Sequence, residues 1–159
     1  MRMMLRGKIH RATVTRADRE YVGSISIDRT LLEAAGIIEW EQVHVLDVTN
    51  GARLTTYAIE APAESGEICI NGAAAHLVNP GDLVIILNYE GVPTERVADH
   101  HPRLVHVDSA NQMVDLATGE AAMSHFAQPY AVVEAHGAIE ASNVEAHNAD
   151  NIVSAGIAG

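Results

Sequence analysis

In the segment EYVGSISI, two neighbouring residues, Gly23 and Ser24, are of types that can break their own peptide bond. A glycine carbonyl has no Cβ beside it to obstruct attack, and the next residue's hydroxyl reaches it through a five-membered ring. An N→O acyl shift gives an ester, elimination breaks the ester, and hydrolysis of the resulting dehydroalanine leaves a pyruvoyl group heading a new chain. That ketone can form a Schiff base with an amine and accept electrons from a departing carboxylate, much as pyridoxal phosphate does. The same dipeptide is also an ordinary turn, since Gly accepts unusual backbone angles and Ser bonds to nearby main chain. On these two residues alone the turn is the default reading.

Few other residues offer chemistry. His100, His101 and His106 lie close in sequence, but no Cys or acid joins them at a zinc spacing, and adjacent strand residues face opposite ways. A surface loop is expected there, and no metal. There is no G-x-S-x-G elbow and no phosphate-binding glycine loop, and Cys69 lacks a paired-residue signature. Lys8 is the single lysine against nine arginines. It is either one more surface cation or one retained for a role.

These residues must be held by short strands. Residues 3–15 and 20–27 alternate as strands, with Gly23 inside the second, where glycine suggests a bulge, a bend or a close backbone approach. The segment TLLE offers a capping box from Thr30 to Glu33, and Gly36 suits the position past a short helix. Two alternating runs flank Asn50-Gly51, which predicts a hairpin with a type I′ turn. Leu83–Leu87 is continuously apolar, fit for a strand buried on both faces. Short strands with glycine turns and one or two short helices predict a small β-barrel. Beyond residue 114 the chain is Ala-rich and acidic without a cohesive apolar face. Residues 115–159 are therefore expected to be a poorly ordered extension to a 1–114 barrel domain.

Composition narrows the function classes. The chain has 159 residues, 48% hydrophobic but only 4% aromatic, so the core should be aliphatic. Net charge is −11, and residues 108–159 contain acidic residues but no Lys or Arg. Such a chain repels phosphate backbones, so no nucleic-acid partner is expected. An anionic substrate would need cations placed at its site. No apolar run is long enough to span a membrane, and the N-terminal segment lacks an apolar signal region. One cysteine fits a reducing cytoplasm.

Five segments, GKIHRATVT, YVGSISID, NGARLTTYAI, INGAAAH and PGDLVII, in this order and spacing, strongly resemble the aspartate 1-decarboxylase family. The resemblance covers roughly residues 1–108. It implies a six-stranded double-psi β-barrel and a carbon–carbon lyase that converts L-aspartate to β-alanine for pantothenate and coenzyme A synthesis. The enzyme would be a homotetramer with sites between neighbouring subunits. It also implies a proenzyme cleaved at Gly23-Ser24 into a β chain, 1–23, and an α chain from 24 onward, with the covalent pyruvoyl group derived from Ser24 as cofactor. Whether an accessory factor assists maturation stays open.

By motif, the resemblance makes Tyr57 the proton donor, a role a phenol can fill because it keeps its proton at neutral pH. It makes Thr56 a partner of the cleavage step and of substrate, and Arg53 the carboxylate clamp, whose planar fork binds bidentately. Lys8 becomes a second cation, and Gly72, Ala73 and Ala74 a small segment whose backbone approaches substrate. His10, Tyr21 and Asn71 are supporting residues. Ile25 and Leu46 depart from relatives carrying Cys and Trp there, which predicts altered packing with activity retained. Two other readings compete: a non-catalytic barrel that binds a partner or DNA, the latter opposed by the acidic charge, and a pyruvoyl enzyme for another amino acid. Arg53 with Lys8 favours a dicarboxylic substrate over the latter.

Overall fold

The computed structural model describes residues 1–119 and Ala121. Its strands are β1 (Arg2–Thr13), β2 (Arg16–Asp18), β3 (Ile25–Asp28), β4 (Gln42–Asp47), β5 (Arg53–Ala61), β6 (Ile68–Asn71), β7 (Leu83–Val92), β8 (Arg103–Val107) and β9 (Met113–Ala117). One helix, α1 (Arg29–Ala35), follows β3, and short 3-10 turns cover Gly72–His76 and Thr94–Asp99. The strands hydrogen-bond in the order β2-β6-β3-β5-β4-β7-β1-β8-β9.

That order closes on itself. Laid flat, the six steps from β2 to β1 would span about 29 Å at ordinary strand spacing. Thr13 and Arg16 are three peptide links apart, which reach about 11 Å at most. The sheet must therefore curl until its β2 edge meets β1. The junction shows how: the Val14 amide donates to Asp82 O at 2.9 Å, on the β7 side, and the next amide, Thr15, donates to Ile68 O at 2.8 Å, on the β6 side. With β1 and β2 counted as one continuous strand, the ring has six strands, and β8 and β9 extend from β1 outside it. β2 runs parallel to β6 and β3 parallel to β5, among otherwise antiparallel ring neighbours. This mixed pairing is that of a double-psi barrel, and the chain is mainly β.

The interior is aliphatic. Ile9, Ile25, Ile27, Val43, Val45, Ile68, Ile70, Val84 and Ile86 are fully buried, each worth roughly 1.5–3 kcal/mol of transfer free energy. Their β-branched side chains are stiff and suit the pleated wall of a narrow barrel.

Five local details differ from the sequence expectation. The N-cap of α1 is Asp28, whose carboxylate accepts from the Thr30 amide at 2.8 Å; Thr30 Oγ1 instead accepts from the Glu64 amide. Gly36 does end the helix, at φ +70°. The β4–β5 hairpin forms, but its turn is not type I′. Asp47 Oδ1 accepts from the amides of Thr49 and Asn50, the Gly51 amide reaches Asp47 O at 2.9 Å, and Gly51 alone in that turn has positive φ. In β7 burial alternates: Val84 and Ile86 are buried, while Leu83, Ile85 and Leu87 are partly covered on the barrel's outer side. His100 is more enclosed than a surface loop residue, with Nε2 2.7 Å from Leu5 O and Nδ1 3.4 Å from Glu90. β9 runs past the boundary expected at 114, and 122–159, most of the expected extension, lies outside the described residues.

Candidate active site at the start of β3

β3 lies between β5 and β6, with Ile25 opposite Ala58 on one side and Ile70 on the other. Extending that register by one residue places Ser24 between Tyr57 and Asn71. Ser24 is 2% exposed, its hydroxyl donates to the Tyr57 carbonyl, and its own carbonyl accepts from the Asn71 amide at 2.7 Å. Both sides of the residue are thus held by main chain, which no side-chain substitution nearby would remove. Gly23, immediately before it, has φ +152°, a conformation L side chains rarely adopt.

Three neighbours close around the Gly23–Ser24 peptide. Gly72 has φ +61°, and a Cβ there would stand 3.1 Å from Gly23 O and 3.5 Å from Tyr21 O. Its bare backbone therefore sits against the 21–23 segment, with Ala73 and Ala74 following in the 3-10 turn. The Tyr21 ring lies over Gly23: a Cβ on Gly23 would be 3.6 Å from it. Asn71 is buried, and its side chain donates to Ser26 Oγ at 3.1 Å and accepts from Cys69 Sγ at 3.1 Å. Arg16 Nε reaches the same sulfur at 3.2 Å. Cys69 therefore belongs to the frame behind Ser24 through Asn71, a link the sequence did not show.

Tyr57 contributes its backbone to Ser24 and its ring to the barrel's outer face. The ring stacks on Trp40, with centroids 5.7 Å apart and planes at 27°. Thr56 is half-buried and pairs with Val43; among the described hydrogen bonds, none joins its hydroxyl to Gly23.

The cations lie elsewhere. Lys8 on β1 is opposite Leu87, which is opposite His44; Arg53 on β5 is opposite Leu46, two residues along from His44. Lys8 and Arg53 therefore share the outer face of the β1-β7-β4-β5 wall, as does the Tyr57 ring. Burial lowers the Lys8 pKa. His10 is buried, and its pKa is pushed down to about 4, first by burial and then by the charges of Lys8, His106 and Arg11. Its ring meets that of His106 edge-on at 5.3 Å. At neutral pH His10 is therefore an uncharged hydrogen-bonding group beside Lys8. The structure gathers Gly23, Ser24, Tyr21, Tyr57, Asn71 and Gly72 at one place. It does not bring Lys8 or His10 to Ser24 of the same chain: Lys8 pairs with Leu87 on β7, and where the same strand reaches the β6 side of the ring it is Asp18, ten residues on from Lys8, that lies opposite Asn71.

The family model for aspartate decarboxylase matches residues 1–114. The chain belongs to the aspartate decarboxylase family. It is 57% identical over 116 residues to the aspartate 1-decarboxylase of Corynebacterium efficiens, covering 73% of this chain and 85% of that one. It is 58% identical over 114 residues to aspartate 1-decarboxylase 1 of Gloeobacter violaceus, covering 72% and 97%. It is 55% identical over 120 residues to that of Mycolicibacterium smegmatis, covering 76% and 88%. As an aspartate decarboxylase family member the protein is a decarboxylase, a carbon–carbon lyase. Among the described residues, no helix is long and apolar enough to cross a membrane.

Proposed function

We propose that this chain cuts itself between Gly23 and Ser24, carries a pyruvoyl group at residue 24, and converts L-aspartate to β-alanine and carbon dioxide. The observation that carries the reading is the enclosure of that one peptide. Ser24 is buried and held through both its hydroxyl and its carbonyl, Gly23 is in a glycine conformation, and Gly72 backbone faces the Gly23 carbonyl. An ordinary surface turn needs none of this.

In the cleavage, Ser24 Oγ attacks the Gly23 carbonyl carbon as its proton leaves, and the C–N bond breaks to give the ester and a free amine at residue 24. Elimination then breaks the Cβ–O bond, leaving Gly23 as a carboxylate and residue 24 as dehydroalanine. One water adds and ammonia departs, which gives the ketone without any oxidant. The residues present fit such a group, since Ser24 supplies its carbon skeleton and Asn71 its backbone anchor. The pyruvoyl ketone supplies an electrophile for the substrate amine and a sink for the electrons the departing carboxylate leaves behind.

The side chains have separate tasks. Arg53 binds a substrate carboxylate as a planar fork, and Lys8 adds a second positive charge for a substrate with two carboxylates. Short contacts of this kind outlast the screened repulsion of an acidic surface, which fades beyond about 8–10 Å. Tyr57 Oη gives its proton to the carbon the carboxylate has left. Thr56 and the Gly72–Ala74 backbone line the substrate on the barrel side, with Tyr21 behind them and His10 beside Lys8. Because Lys8 lies ten residues back along its strand from Asp18, the residue opposite Asn71, a small dicarboxylate at Ser24 would meet Lys8 from a second copy, in a homotetramer with sites between subunits. The product feeds pantothenate and coenzyme A synthesis in the cytoplasm. The 1–114 barrel carries this chemistry, and the acidic 115–159 extension supplies none of it.

Intact-mass analysis of purified protein tests the reading. We expect two fragments, 1–23 and 24–159, in place of a single 17.0 kDa chain. One unbroken chain with full decarboxylase activity would overturn it. Gly72→Ala is expected to leave part of the protein uncut, because a Cβ at φ +61° costs about 1 kcal/mol and stands 3.1 Å from Gly23 O. Denaturing electrophoresis reads the uncut band; complete cleavage at the wild-type rate would show that the close approach is not needed.

A further inference from the structure

Trp40 is the chain's single tryptophan, and its backbone conformation is one that suits glycine: φ is +69°. The Glu41 amide donates to Ile38 O at 3.2 Å, closing a four-residue turn of which Trp40 is the third member. Positive φ at that position, with none at Glu39, is the mark of a type II turn, where Gly or Asn is the usual occupant. A bulky residue there is a steric outlier, and such outliers persist only where the surroundings hold them.

The surroundings do hold it. The Trp40 amide donates to Ala58 O at 2.9 Å and the Ala58 amide donates to Glu41 O at 3.0 Å, so the turn is clamped to β5 one residue beyond Tyr57. The Glu41 carboxylate accepts from the Ile38 amide and from the Asn88 side chain, both at 3.0 Å. This clamp puts the indole over the phenol ring of Tyr57. Core packing does not require it there, because Trp40 is 67% exposed.

We propose that Trp40 is a positioning residue for Tyr57, selecting one rotamer of the phenol and covering one of its faces. This rests on the proposed role of Tyr57 as proton donor. A tyrosine on the outer face of a strand has two favourable χ1 rotamers open to it. Stacking against a ring fixed by a clamped turn removes one of them. Proton transfer to carbon depends steeply on such placement, so the strained turn has a use that stability alone does not give it.

The test uses residues that accept the turn but lack the indole. Trp40→Gly should be cleaved at 23–24 as fully as wild type and melt at the same temperature or higher, since its backbone strain is relieved. It should lose about tenfold to a hundredfold in kcat, with KM within about twofold. Trp40→Phe, which retains an aromatic ring, should recover most of that kcat. Unchanged kcat in Trp40→Gly, or a lowered melting temperature with lost cleavage, would overturn the proposal. A further loss of the same factor when Trp40→Gly is added to Tyr57→Phe would overturn it too, because Trp40 would then act through something other than the phenol.

A second readout needs no activity. In the Ser24→Ala background, Tyr57→Ala should change the fluorescence of the single tryptophan as the stack is lost; unchanged emission overturns the contact. The two layers fail separately. Wild-type turnover in Tyr57→Phe sinks the role of Tyr57 itself, whereas a crippled Tyr57→Phe beside an unaffected Trp40→Gly sinks only the role of Trp40.

Discussion

Ser24→Ala is expected to leave the polypeptide whole between residues 23 and 24 and to abolish carbon dioxide release. In the proposed cleavage the hydroxyl is the attacking group, the ester oxygen and the leaving group of the elimination, so its removal should stop every later step at once. Alanine offers no substitute atom, and the loss is complete rather than partial. The fold should survive. The Ser24 hydroxyl makes one hydrogen bond, to the Tyr57 carbonyl, and a bond of that kind is worth about 1 kcal/mol. The carbonyl of residue 24 still accepts from the Asn71 amide, and the buried wall of Ile25, Ile27, Ile68 and Ile70 is untouched. Denaturing electrophoresis should therefore show one band, circular dichroism should match wild type, and labelled aspartate should release no carbon dioxide. A cut chain in this variant would mean that another nucleophile breaks the bond. Residual turnover in an uncut chain would mean that the ketone is not the electrophile.

How much of this was legible in the residues depends on how local each feature is. Gly36 marks the end of α1 because a left-handed C-cap is a property of one residue. The start was misplaced by two residues, since Asp28 can cap only where β3 delivers it, and there it also accepts from Glu64 and Gly66 amides. Asn50-Gly51 signalled a hairpin, but the turn type was decided by the Asp47 carboxylate gathering the amides after it. Closure of the barrel hangs on Val14 and Thr15 choosing partners from opposite sides, Asp82 and Ile68, and no spacing within 1–18 encodes that choice. In the site, short motifs marked the residues now found around Ser24, because β3, β5 and β6 are neighbours: Ser24 directly precedes β3, Tyr57 lies mid-way along β5 and Asn71 ends β6. The separation of Lys8 from Ser24 was not legible, because it is a property of strand pairing and register. Nor was the Trp40–Tyr57 stack, which requires a tryptophan in a conformation that sequence statistics assign to glycine.

Tyr57→Phe should separate making the enzyme from running it. The substitution removes one oxygen and keeps the ring, so the stack on Trp40 stays. The ring is 36% exposed, and no core volume is lost. What Ser24 uses of Tyr57 is the backbone carbonyl, which phenylalanine supplies equally well. Cleavage at Gly23–Ser24 should therefore run to the wild-type extent. Turnover should not, because in the proposed mechanism the proton that must reach carbon after the carboxylate leaves has lost its donor; a positioned acid of this kind contributes about 10²–10⁴-fold. The loss should fall on kcat, with KM changed little, because the carboxylate contacts proposed for Arg53 and Lys8 are kept and the phenol is proposed to act after binding. Steady-state kinetics on protein first shown by mass to be cleaved is the measurement. If kcat stays at the wild-type value, the proton comes from another group. If cleavage fails as well, the hydroxyl also takes part in breaking the peptide bond, and the division of labour between the Tyr57 backbone and its side chain is wrong.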